Sequence, residues 1–152
     1  MNLFNEYGIS FEYPDGWELT KHVDETHGEI QISVHSEESS FWVISLYFVD
    51  ITPEALLDGS LEAFREEYEE LDVYEAEVKL AGKTCVALDL EFVCSELINS
   101  AFLRAFKTEL FTAIVLYQGT DQELEHTRKD LEAISASLDV FDSGFDGYLD
   151  VV

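Results

Sequence analysis

A chain of 152 residues fits one domain, and a domain of this size buries roughly 70% of the surface its unfolded form exposes. Its 47% hydrophobic content supplies a core, while 33 acidic against 8 basic residues give a formal net charge of −25. That charge excludes nucleic-acid phosphate and anionic membrane as direct partners, since both would be repelled. It leaves a protein of basic surface, a cation, or plain solvation of the surface, as in salt-adapted proteins.

No apolar run is long enough to span a bilayer; Phe41 to Val49, among the longest, is broken by Ser45. Met1 to Glu6 carries neither a basic nor an apolar leader segment, so a cytoplasmic protein is expected. Cys85 and Cys94 lack metal-motif spacing. On one extended strand their odd separation points them to opposite faces, so two free thiols are expected.

Along the chain, Ile9, Phe11 and Tyr13 alternate with Ser10 and Glu12, the period of a half-buried strand. Pro14-Asp15-Gly16 supplies a turn and delivers Trp17 to the end of the domain, where it is expected to help close the core. Glu18 to Thr20 predicts a short strand, Lys21 to Gly28 a polar turn, and Ile30, Ile32 and Val34 a strand with one wet face. Phe41 to Val49 is apolar almost throughout and should be covered on both faces.

Thr52-Pro53 opens a helix as N-cap and first helical residue. Leu57, Leu61, Phe64, Tyr68 and Leu71 form one stripe, and Glu62, Glu66, Glu69 and Glu70 lie off it, toward water. Tyr74, Ala76, Val78 and Leu80 alternate with polar residues, and Ala81-Gly82-Lys83 reads as a tight hairpin turn. The return strand carries Thr84, Val86, Leu88, Leu90, Phe92 and Cys94 on one face, with Cys85, Ala87, Asp89, Glu91 and Val93 on the other. Residues 97–107 and 109–118 predict another antiparallel pair, the second strand central because Leu110 to Tyr117 is apolar but for Thr112.

Thr120-Asp-Gln-Glu123 is a capping box, in which the Thr and Glu side chains satisfy each other's backbone amides. The helix it opens buries Leu124, Leu131, Ile134 and Leu138. The domain is expected to span residues 1–140, followed by an acidic and aromatic tail over 141–152. Two helices separated by a four-strand run predict an α+β class. The arrangement expected is an α/β/α sandwich, one mostly antiparallel sheet with a helix packed on each side.

Gly8-Ile-Ser-Phe-Glu-Tyr-Pro-Asp-Gly-Trp17, the turn at Ala81-Gly82-Lys83 and the closing helix ending Ile134 to Leu138 together resemble the PsbP-like superfamily. The order of elements agrees over about residues 7 to 140. Members include the PsbP subunit of photosystem II, a Ran-binding nuclear-import factor and many small bacterial domains, some of them adaptor chaperones for secretion effectors. The resemblance implies the same α/β/α sandwich, no shared catalytic residues, and binding in place of catalysis.

Each candidate site has a plain alternative. His22, Asp24, Glu25, His27 and Glu29 crowd one stretch, and His22, Asp24, His27 and Glu29 are the best metal candidates, yet their spacing matches no closed site and reads first as a solvated turn. Asp142, Asp146 and Asp150 recur every four residues, which is not the ligand spacing of a calcium loop. Asp89 and Glu91 share a face within reach of Arg104, a cross-strand salt bridge before it is an acid–base site. His35 and His126 stand alone and should face solvent.

No nucleophile elbow, phosphate loop, dinucleotide fingerprint or zinc-protease helix is present. The reading is therefore a non-enzymatic, cofactor-free, adaptor or chaperone-like domain that binds a protein of basic surface. Candidate partner residues are Glu66, Glu69 and Glu70 with Phe141, Phe145 and Tyr148. The alternative is a DNA mimic, or an inhibitor or immunity protein, that occupies a basic surface through its carboxylates.

Overall fold

The computed structural model describes residues 1–141. The order is β1 (Asn2–Glu6), β2 (Ile9–Tyr13), β3 (Glu18–Asp24), β4 (Glu29–His35), β5 (Phe41–Tyr47), α1 (Pro53–Glu67), β6 (Leu71–Leu80), β7 (Lys83–Cys94), β8 (Leu97–Lys107), β9 (Thr112–Thr120), α2 (Asp121–Ser137) and β10 (Asp139–Val140). Seven strands form an antiparallel sheet in the order β3-β4-β5-β9-β8-β7-β6. The apolar run that predicted a central strand is β9, the middle of the seven.

Alternation along β9 sorts the core into two. Ala113, Val115 and Tyr117 join Trp42, Ile44, Phe102 and Phe106 in one cluster with Leu124, Leu131 and Ile134 of α2. Ile114 and Leu116 belong to the other, with Leu90, Phe92 and Leu103 under Leu56 and Leu57 of α1. The two helices thus cover opposite rows of the same strands. Leu61, Phe64 and Tyr68 complete the α1 stripe, but Leu71 reaches that core from β6, since the helix ends at Glu67 with Tyr68 as its C-cap.

The single sheet expected is in fact two. β1, β2 and β10 form a separate three-stranded sheet with β2 in the middle. Ile9 and Phe11 of β2 are fully buried beside Phe4 in the α2-side core, with the Phe11 and Trp42 rings 4.8 Å apart. Lying over the large sheet buries both residues. Phe141, the first residue of the expected tail, still belongs with this sheet, since its N–H donates to the Gly8 carbonyl at 2.9 Å. Phe145 and Tyr148 lie outside the described residues.

Three further expectations are refined. β3 runs on to Asp24, so the polar turn is only Glu25 to Gly28; Lys21 faces the small sheet, where its Nζ lies 2.9 Å from the Glu6 carboxylate and 5.3 Å from the Tyr7 ring. Trp17 is half-buried at the rim of the core, and the fully buried tryptophan is Trp42, whose Nε1 donates to Ser135 Oγ at 2.9 Å. The capping box takes in a further partner. Thr120 accepts from the Glu123 N–H at 3.1 Å and its hydroxyl donates to the Glu123 carboxylate at 3.4 Å, while that carboxylate also accepts from the backbone N–H and hydroxyl of Ser39 and so ties α2 to the β4–β5 turn.

Candidate partner-binding cleft

Neither helix covers the outer wing of the large sheet, β6 with the far end of the β7–β8 hairpin, on the side that α2 occupies further in. Register fixes which side chains meet there. Asp72 lies opposite Glu91, and Tyr74 opposite Asp89; Val93 lies opposite Ile98 and Glu91 opposite Ser100. Tyr74, Val93 and Ile98 are large apolar residues left 51%, 42% and 55% exposed.

The hairpin tip holding Val93 and Ile98 apart from the core is a two-residue turn, Ser95-Glu96, with both φ angles positive at 52° and 66°. That is the type I′ signature, usually given to Asn or Gly. Tyr7-Gly8 and Ala81-Gly82 close two other hairpins in the same way, each with glycine second.

Between this tip, β6 and the residues that follow α1 lies an open cleft of about 500 Å³. Glu69, Glu70, Asp72 and Glu91 form its rim, and Leu71, Phe92, Val93 and Ile98 give it apolar walls. The nearest cation in the register is already engaged. Arg104, 6% exposed, donates to Asp89 Oδ1 at 2.6 Å and to the Leu88 and Leu103 carbonyls at 3.3 and 3.2 Å. The expected salt bridge therefore forms with Asp89 and leaves Glu91 out. Among the described residues neither Asp72 nor Glu91 has a cationic partner, and together they push the Tyr74 phenol above its ordinary value, Asp72 more strongly.

The other expected site residues are scattered. Asp24 accepts from the His27 backbone and bonds its ring Nδ1 at 2.7 Å, while Glu29 accepts from the Tyr47 hydroxyl at 3.0 Å. Burial first, then Glu29, drives the Tyr47 phenol up to about 12. His22 sits mid-strand opposite Gln31. No group of three metal-ligating side chains comes together among the described residues: of the four metal candidates Asp24 and His27 pair with each other, Glu29 is taken by Tyr47, and His22 stands apart.

Glu69 and Glu70 line the cleft, whereas Glu66 stands on exposed α1 surface outside its lining. Phe141 is half-buried beside the small sheet, also outside it. The His35 ring lies tilted 5.8 Å from that of Phe41, and exposed His126 lies 3.3 Å from Glu38 at a smaller cleft beside Trp17. Sequence reasoning missed Asp72, Tyr74, Val93 and Ile98. The one available signal was that Val93 shares a face with Asp89 and Glu91, an apolar residue in an acidic row.

No protein-family model matches this sequence, and no curated protein matches it. Solved structures do. Cyanobacterial PsbP (CyanoP) from Synechocystis sp. PCC 6803 matches with a TM-score of 0.67 at 8% identity, over 92% of each chain. The fold is PsbP-like. PA94 from Pseudomonas aeruginosa follows the same path with a TM-score of 0.54 at 14% identity, over 90% of this chain and 94% of its own. LpqN, involved in cell envelope biogenesis of Mycobacterium tuberculosis, matches at 0.50 and 12% identity, over 87% and 82%. At such identities the likeness concerns the path of the backbone. It carries no residue of the cleft with it.

Proposed function

We propose that this PsbP-like domain works by binding another protein, not by catalysis, and that its partner presents basic side chains beside apolar ones. In this reading the three-layer α/β/α sandwich is a rigid scaffold that holds the β6–β8 wing out to solvent. One observation carries it: Asp72 and Glu91 lie directly opposite each other without a cation, beside exposed Val93 and Ile98. Like charges set across a strand pair oppose folding, and exposed apolar side chains rimmed by charge are what interface anchors look like before they are covered. A basic, apolar partner relieves both at once.

A photo-cross-linking residue placed at Ile98, compared with the same residue at exposed Glu62 on α1, tests this in the source cells. A discrete adduct is expected at position 98 alone, mapping to a basic segment of one protein. Equal adducts at both positions, or an adduct to a segment without Lys or Arg, would refute it. The phosphate-mimic alternative separates on salt: carboxylates acting alone lose affinity steeply, while an anchored apolar contact persists.

A further inference from the structure

We infer that the partner arrives as an extended basic segment that adds a strand to the large sheet along β6. The inference rests on the acidic-cleft reading above and deepens it, because it assigns the recognition to backbone as well as to charge. β6 is a ten-residue edge strand, about 33 Å of backbone at ~3.3 Å per residue. Among the described residues it pairs on one side only, with β7. The opposite edge, β3, is tied to the small sheet through Lys21 and Glu6.

An unpaired edge invites any strand, and proteins guard it with charge, most often lysine. Here the guard is acidic over most of the strand. Asp72 projects beside Tyr74 on one face, Glu75 and Glu77 on the other, and all four are exposed; Lys79 stands near the hairpin end.

Charge of one sign does not close an edge; it selects what joins it. A second copy of the chain, paired antiparallel over most of the strand, would set Glu75 against itself or against Glu77, which is destabilising across a strand pair. The chain's own residues 142–152 include Asp142, Asp146 and Asp150 and no Lys or Arg, and meet the same repulsion. A basic strand fits instead. One row of its side chains meets Asp72 and the face of Tyr74, and the other meets Glu75 and Glu77. Its end beside Leu71 enters the cleft, where an apolar side chain covers Val93.

The test uses the full chain and a blocked peptide, Lys-Lys-Val-Lys-Tyr-Lys-Val-Lys-Lys, with two further versions N-methylated at alternate residues in opposite phase. In a strand added to an edge only every second residue turns its N–H toward the protein. One methylated version should therefore bind more weakly by over about tenfold, through several lost hydrogen bonds, and the other within about twofold of the parent. If both methylated versions bind like the parent while Glu91→Lys or Asp72→Lys weakens all three, strand addition is overturned and the acidic cleft stands. If binding is indifferent to those substitutions and to Glu75→Lys, both readings fall. No binding of the parent peptide overturns the inference. So does binding that appears only after truncation at Phe141, which would assign the edge to the chain's own end, or a dimer abolished by Glu77→Lys, which would assign it to a second copy.

Discussion

Replacing Glu91 should make the protein more stable while it weakens partner binding. Residues directly opposite on an antiparallel pair have Cβ atoms about 5 Å apart, and Glu91 is opposite Asp72. With the two carboxylates splayed to about 6 Å in water, the repulsion is about 0.7 kcal/mol. Arg104 does not offset it, because it is held on Asp89. Glu91→Gln should therefore stabilise by about 0.5 kcal/mol at low salt, and Glu91→Lys, which turns repulsion into attraction, by about 1 kcal/mol.

Both groups are exposed, so in molar salt, where the screening length is about 3 Å, the gain should fall toward zero. Urea unfolding followed by tryptophan fluorescence at low and high salt measures it. The Tyr74 phenol gives an independent readout: Asp72 and Glu91 raise its pKa, so Glu91→Gln should lower it. A destabilised Glu91→Lys, or a gain that ignores salt, would refute the electrostatic account of the cleft.

Asp89→Asn should cost about 2 kcal/mol, because it strips the carboxylate from a buried guanidinium, a loss reduced here by the partial exposure of Asp89; adding Arg104→Leu should recover part of it, and a denaturation double-mutant cycle measures the coupling. Glu96→Gly should stabilise by about 0.5–1 kcal/mol, since a left-handed φ of 66° costs an L-residue more than the entropy glycine loses, with unfolding midpoints as the measure. At Glu123 burial raises the carboxyl pKa, but hydrogen bonds from Ser39 and Thr120 prevail and hold it below its ordinary 4.5. The stability it contributes is therefore full above that ordinary value and lost as pH falls through the lower folded one. Stability measured against pH should show a shallower acid limb for Glu123→Gln.

The legible parts of the fold were those whose burial follows a period. The α1 stripe, the two faces of β7, the central β9 and the type I′ turn at Ala81-Gly82 all sit where alternation or turn chemistry puts them. The misses share a cause. In β1 only Phe4 is buried, so Asn-Leu-Phe-Asn-Glu has no apolar alternation to read. The second half of β3 was hidden because Lys21, ion-paired to Glu6, occupies an inward position where the pattern seeks an aliphatic residue. The cleft was half legible. Glu69 and Glu70 could be named from their place off the helix stripe, but pairing Asp72 with Glu91 needs the β6–β7 register, which local sequence does not contain. Arg104 could be placed near Asp89 and Glu91. Only geometry shows that it takes the first and abandons the second.

That choice bears on what the net charge of −25 means. An acidic surface evolved for solvation alone gains nothing by placing carboxylates face to face, since the same charge spread over separate strands hydrates as well and repels less. Elsewhere the chain does relieve its acids where a partner is at hand: Glu6 meets Lys21, Asp24 meets His27, and Glu123 meets Ser39. At Asp72 and Glu91 it does not, and the same wing also leaves Val93 and Ile98 uncovered. Two unfavourable features with independent physical origins, one electrostatic and one hydrophobic, coincide on one patch at an unpaired strand edge. Solvation accounts for neither, since spread charge hydrates as well and exposed apolar side chains work against it. A basic partner strand accounts for both, which is why the stabilising substitution at Glu91 should also be the one that abolishes binding.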